Sequence, residues 1–101
     1  MNKITQKQVK NKLSEVHDPE LNISIIDLGL VYKIKFIKEK IVIIMTLTTI
    51  GCPLFDMIKE EIKNKLAGLG LAKKNIEIEL TFDPPWSIER MTKKGKTMLG
   101  I

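Results

Sequence analysis

Apolar positions recur at helical spacing in some stretches of this chain and at strand spacing in others. Val9, Leu13 and Val16 follow one another at steps of four and three, which puts them on one face of a helix. Thr5 with Gln8 matches a capping box, and Ile4 with Val9 matches a hydrophobic staple, so this helix begins at Thr5. His17 comes after the stripe, and Asp18-Pro19 is expected to end the helix, because the residue before proline is pushed out of the helical region. A stronger stripe runs through Leu54, Ile58, Ile62, Leu66 and Leu69, with Lys59, Glu60, Lys63 and Asn64 opposite. It predicts a helix from Pro53 to Ala67, stopped by Ala67-Gly68-Leu69-Gly70.

The strand signals lie between and after these helices. Val31 to Ile37 alternates, with Tyr32, Ile34 and Phe36 on one face and Lys33 and Lys35 on the other. After the polar break Lys38-Glu39-Lys40, residues Ile41 to Thr48 are apolar on both faces for most of their length, as a central strand would be. The two strands should pair as an antiparallel hairpin, with Thr46 and Thr48 on one face at the end nearest Cys52. Asn75 to Phe82 alternates again, and Ile76, Ile78, Leu80 and Phe82 are expected to point inward. A helix lies between the second and third strands, so the third should run parallel to the second. Asp83-Pro84-Pro85-Trp86-Ser87 reads as a rigid turn, with Ser87 as N-cap of a last helix through Arg90, Met91 and Met98. Trp86 and Met91 form its staple, and Gly95 weakens it by about 1 kcal/mol relative to Ala. The stretch from Asp18 to Leu30 is too apolar for a bare linker and should lie over the core. The order α-β-β-α-β-α predicts an α+β fold, a two-layer sandwich with a mixed three-stranded sheet.

Composition narrows the class. A chain of 101 residues suits one domain, residues 1–101, with one core. No apolar run approaches the roughly 18 residues of a membrane span, and the N-terminal stretch lacks the apolar core of a signal peptide. One cysteine cannot form an internal disulfide, so a reducing, cytoplasmic setting is expected. The net charge of +5 raises the question of nucleic acid. The lysines are spread along the chain, however, and aromatics make up only 5% of it, so stacking platforms are scarce. A solvated lysine-rich surface is the better reading, with neither nucleic acid nor membrane as partner. No phosphate-cradling glycine pattern occurs, and no two glycines stand three apart as in a KH loop.

The candidate chemistry centres on Cys52, between Gly51 and Pro53. With Pro53 as first helical residue, Cys52 is the expected N-cap. Its sulfur would then lie near the positive end of the helix dipole, a setting that lowers a thiol's pKa. The thiolate is both nucleophile and metal ligand; the competing reading is a small buried apolar residue. A thiol hydrolase would need a base, and His17 reads better as a partner for the end of the first helix. A structural zinc site needs about four ligands, and one chain with a single Cys and a single His is a poor source of them. Two chains facing each other through Cys52 could hold an iron–sulfur cluster with outside ligands completing it. Asp18, Glu20 and Asp27 fall within one loop. Asp27 reads as a turn cap ahead of Leu28-Gly29, while Asp18 and Glu20 either cap turns or line a site.

Several motifs in fixed order resemble one known family. They are Asp18-Pro19-Glu20-Leu21, Asp27-Leu28-Gly29-Leu30-Val31, Met45-Thr46-Leu47-Thr48 with Cys52-Pro53, Asp83-Pro84-Pro85-Trp86-Ser87, Arg90-Met91 and Leu99-Gly100. Together they look like the small iron–sulfur assembly domain of the SufT, PaaD and cytosolic targeting-factor family, formerly a domain of unknown function. The resemblance covers about Val9 to Gly100. It implies a fold like the C-terminal domain of NifU-type scaffolds and a role in maturing iron–sulfur proteins. It also implies a site made of Cys52, the metal ligand, with Thr48 beside it, Asp18 and Glu20 from the loop, and Arg90. The chain has no Cys-x-x-Cys pair like that of NifU-type scaffolds and no PaaD-type cysteine-rich extension. The resulting expectation is a non-enzymatic, homodimeric maturation factor that carries an iron–sulfur cluster transiently between assembly machinery and apo client proteins. The alternatives are a metal-free adaptor for clients, an accessory subunit of a multicomponent oxygenase, and a thiol enzyme.

Overall fold

The structure, a computed structural model, describes residues 4–19, 21–47 and 54–100. Helix α1 spans Gln6–Leu13, strands β1 and β2 span Val31–Ile37 and Lys40–Met45, helix α2 spans Leu54–Ala67, strand β3 spans Ile76–Leu80 and helix α3 spans Lys93–Leu99. Short 3₁₀ turns cover Lys73–Asn75 and Ile88–Arg90. The sheet has the order β1-β2-β3, with β1–β2 antiparallel and β2–β3 parallel. This is the α+β arrangement that the apolar pattern predicts. The expected start of α2 at Pro53 and the inward placing of Leu54 fall outside what is described.

The core forms where α1 and α2 pack against each other and against one face of the sheet. Val9 and Leu13 of α1 meet Ile58, Ile62 and Leu66 of α2 over Ile34, Ile41, Ile43, Met45 and Ile76. The loop before β1 contributes as much as a regular element does. Ile23, Ile25, Leu28 and Leu30 are all buried in that core. Burying an aliphatic side chain of this size contributes roughly 1.5–3 kcal/mol, so this loop is a structural layer in its own right.

Four expectations need correcting. First, α1 ends at Leu13, well before Pro19 acts: the Ser14 N–H closes on the Lys10 carbonyl and Val16 is carried inward by a turn, its N–H donating to the Leu13 carbonyl. Second, Phe36 lines an open groove at the hairpin end and is 42% exposed. Third, β3 lies at the sheet edge, and its apolar face is buried at Ile76 and half-buried at Ile78, while Leu80 and Phe82 are each 38% exposed. Fourth, Ser87 makes no side-chain cap bond and precedes only the second 3₁₀ turn, after which Met91 is extended. The cap of α3 is Thr92, whose hydroxyl accepts from the Gly95 N–H at 3.0 Å.

The C-terminal segment latches onto the Asp27–Gly29 turn. Asp27 accepts from the Thr92 hydroxyl through Oδ1 at 2.8 Å, and its carbonyl accepts from the Thr92 N–H at 2.9 Å. The Trp86 indole N–H donates to the Leu28 carbonyl at 2.6 Å. Gly29 sits at φ +73°, and a Cβ there would collide with the Arg90 backbone. Gly95 is buried, and a Cβ on it would lie 2.5 Å from the Asp27 carbonyl oxygen.

Two stability outcomes follow from this packing. Gly95→Ala, which helix propensity alone would favour, is expected to destabilise the protein by about 2 kcal/mol through overpacking against Asp27; a urea midpoint at or above wild type would contradict the close approach. Thr46 is fully buried, and among the described residues its hydroxyl has no hydrogen-bond partner. Thr46→Val should therefore gain about 1 kcal/mol, read as a higher thermal midpoint, because it removes an unsatisfied buried polar group.

Candidate functional site

The Asp18 loop is closed by its own backbone. The Asp18 N–H donates to the Ile23 carbonyl at 2.9 Å and the Asn22 N–H returns to the Asp18 carbonyl at 2.7 Å. Asn22 takes φ +55°, which Asn tolerates better than most residues. A single bridge between His17 and Ser24 clamps the two ends. The Asp18 side chain is 4% exposed, and its Oδ1 accepts from the Leu21 N–H at 3.1 Å. A buried carboxylate held by backbone is a fixed oxygen donor. Asp27 is the turn residue that its place before Leu28-Gly29 predicts, but its partner is the distant Thr92.

The end of β2 is tied to the same loop. The Thr46 N–H donates to the Leu30 carbonyl at 2.8 Å, and the Thr81 N–H donates to the Met45 carbonyl at 2.8 Å. The chain then enters Thr48 to Pro53. Cys52, Thr48 and Glu20 lie outside the described residues. The buried Thr46 hydroxyl, one strand repeat before Thr48, shares a face with it in the sequence pattern; that it has no partner among the described residues is legible only in three dimensions.

Arg90 is exposed, and its guanidinium stacks on the Tyr32 ring with 4.3 Å from Cζ to the ring centroid. Tyr32 is itself fixed, its hydroxyl donating to the Pro84 carbonyl at 2.8 Å. Sequence reasoning singled out Arg90 but missed Tyr32 as its platform; an alternating strand face gives no hint of a partner so far along the chain. Trp86 was read as a staple, whereas its N–H is the link to Leu28. His17 is exposed, with Nδ1 3.1 Å from the Glu15 carbonyl, a local contact next to the end of α1.

Among the described residues, no three His, Cys, Asp or Glu side chains gather into a metal-binding group. An open groove of about 680 Å³ lies at the other end of the sheet, where β2 begins, and is lined by Phe36, Ile41, Leu69 and Leu71 with a lysine rim. It contains one carboxylate, Glu39, and neither thiol nor imidazole, so the candidate chemistry lies elsewhere. Among the described residues, no helix is long and apolar enough to cross a membrane.

Comparison with known proteins extends this picture along the whole chain. A Bacillus subtilis protein named Fe-S protein maturation auxiliary factor YitW is 37% identical over 102 residues, covering 100% of this chain and 99% of that one. A Staphylococcus aureus protein named Fe-S protein maturation auxiliary factor SufT is 38% identical over 87 residues, covering 85% of this chain and 98% of that one. The crystal structure of a domain of unknown function from Bacillus anthracis superposes with a TM-score of 0.86 at 37% identity, covering 95% of this chain and 92% of that one. The profile of the iron–sulfur cluster assembly protein family matches residues 6–79, and the chain belongs to that family.

Proposed function

We propose that this protein is a cytoplasmic auxiliary factor in the maturation of iron–sulfur proteins, acting as one domain without catalytic turnover. The observation that carries this reading is end-to-end likeness to a relative named for that role, at 37% identity and with 99% of the relative's length covered. The Cys52 thiolate would ligate iron or a cluster in passing, with the cluster as cargo. Thr48 and the amides at the start of α2 would hydrogen-bond the sulfur. Asp18, already buried and oriented by Leu21, and Glu20 would offer carboxylate oxygen to iron. Arg90, stacked on Tyr32, would present positive charge to an anionic cluster or its carrier. One chain supplies a single thiolate, so a second copy or the thiolates of assembly machinery and apo client proteins must complete the ligand set. Incomplete ligation of this kind favours transfer over storage.

Anaerobic reconstitution with iron and sulfide, followed by absorption spectroscopy, tests the carrier reading. Wild type should develop charge-transfer bands that Cys52→Ala lacks, and Cys52→Ala should fail to restore client activity in cells. No bands in wild type together with full rescue by Cys52→Ala would leave the metal-free adaptor instead. Asp18→Asn keeps an oxygen acceptor for the Leu21 N–H and removes the charge. It is expected to transfer cluster to an apo acceptor about tenfold more slowly than wild type, a loss of about 1.4 kcal/mol in the transfer step. Wild-type transfer by Asp18→Asn would reduce Asp18 to a turn residue.

A further inference from the structure

The edge of β3 has a pattern that the site does not use. The Thr81 N–H bonds to the Met45 carbonyl, and Met45 is paired with Leu80 in a parallel register. Amide directions alternate along a strand, so Glu77 and Glu79 turn their backbone groups toward β2, while Ile78 and Leu80 turn theirs outward. Among the described residues, no strand lies beyond β3. Side chains alternate as well. Glu77 and Glu79 are exposed on one face of this edge; Ile78, half-buried, and Leu80, 38% exposed, lie on the other. An edge of this kind offers main-chain hydrogen bonds for affinity and alternating side chains for specificity.

Charge decides which strand fits. A second β3 laid antiparallel about Ile78 would bring Glu77 opposite Glu79, and like charges directly opposite are destabilising. The edge thus discourages self-pairing, as protected edges do. A strand with basic residues facing Glu77 and Glu79, and apolar residues beside Ile78 and Leu80, meets complementary charge on one face and exposed apolar surface on the other. Such a strand would extend the sheet to a fourth strand, on the side of β3 away from β2.

We infer that the open edge of β3 is a docking site for an extended segment of a client protein in which basic and apolar residues alternate. This inference rests on the maturation reading for the identity of the client, but the binding it asserts needs no metal. The probe is an end-blocked peptide, Thr-Lys-Val-Lys-Val-Lys-Thr, titrated into the full chain and followed by amide NMR, with the Glu-for-Lys peptide as control. The Lys peptide should shift the Ile78 and Leu80 amides and bind about tenfold more tightly than the Glu peptide. The double variant Glu77→Lys/Glu79→Lys should reverse that preference. Leu80→Pro removes an outward N–H without touching the β2 ladder, and should lose binding while reconstituting with iron and sulfide like wild type. Equal affinity for both peptides, shifts away from β3, or no saturable binding would overturn the assignment. So would concentration-dependent self-association that Leu80→Pro abolishes, since the occupant would then be a second copy. If Leu80→Pro fails to fold, the charge-reversal variant still decides the matter. No peptide binding by the wild type with an intact Cys52-dependent cluster would sink this inference alone, whereas no Cys52-dependent cluster with intact peptide binding would sink only the carrier reading.

Discussion

The fold depends on the contact between the Asp27–Gly29 turn and the chain from Trp86 to Gly95. Before β1, the described residues from His17 to Leu30 form no regular structure apart from one bridge. A loop of that length normally rides on the surface, because its backbone groups need partners. Here four of its aliphatic side chains are core, so its backbone must be satisfied from elsewhere. The C-terminal segment supplies part of that: the Trp86 indole serves the Leu28 carbonyl, and the Thr92 amide and hydroxyl serve Asp27. Two glycines make the approach close enough for those bonds to form. The latch also accounts for a short α3 that contains a glycine: this helix is held by tertiary contact more than by its own propensity.

From the latch, order passes to the candidate site through backbone. Leu30 leaves the latched turn and accepts from Thr46, fixing the end of β2. Tyr32 leaves β1 and ties to Pro84, giving Arg90 a platform. At the other end of the loop, the His17–Ser24 bridge closes the turn that buries Asp18. The Asp18 turn and the strand that leads to Cys52 are therefore braced by the same loop.

What could be read from the chain divides along the same line. The bounds of β1, the capping box at Thr5 and the stripe through Ile58, Ile62 and Leu66 are local signals, and the structure contains them. The motif set around Asp18, Cys52 and Trp86 was legible as a family likeness. The latch was not legible, because Gly95 looks like a helix fault until Asp27 is known to press on it. Nor was the exposure of Leu80 and Phe82. Alternation marks which residues share a face, but only topology tells whether anything covers that face, and β3 is an edge. Ser87 failed as a cap for a related reason. Its chemistry suits an N-cap, but Met91 is extended, so the helix restarts at the next residue able to cap it.

The two ends of β3 serve opposite needs. Its start is buried at Ile76 and helps close the core, whereas Leu80 keeps apolar surface in water, with Glu77 and Glu79 exposed on the opposite face. Backbone pairing along an edge tolerates sequence variety in the partner, because main-chain amides are common to nearly every residue. The glutamates then give the edge its selectivity by repelling a copy of itself and attracting a basic strand. On this account one strand has two uses: its inner edge completes the sheet against β2, and its outer edge recognises a partner.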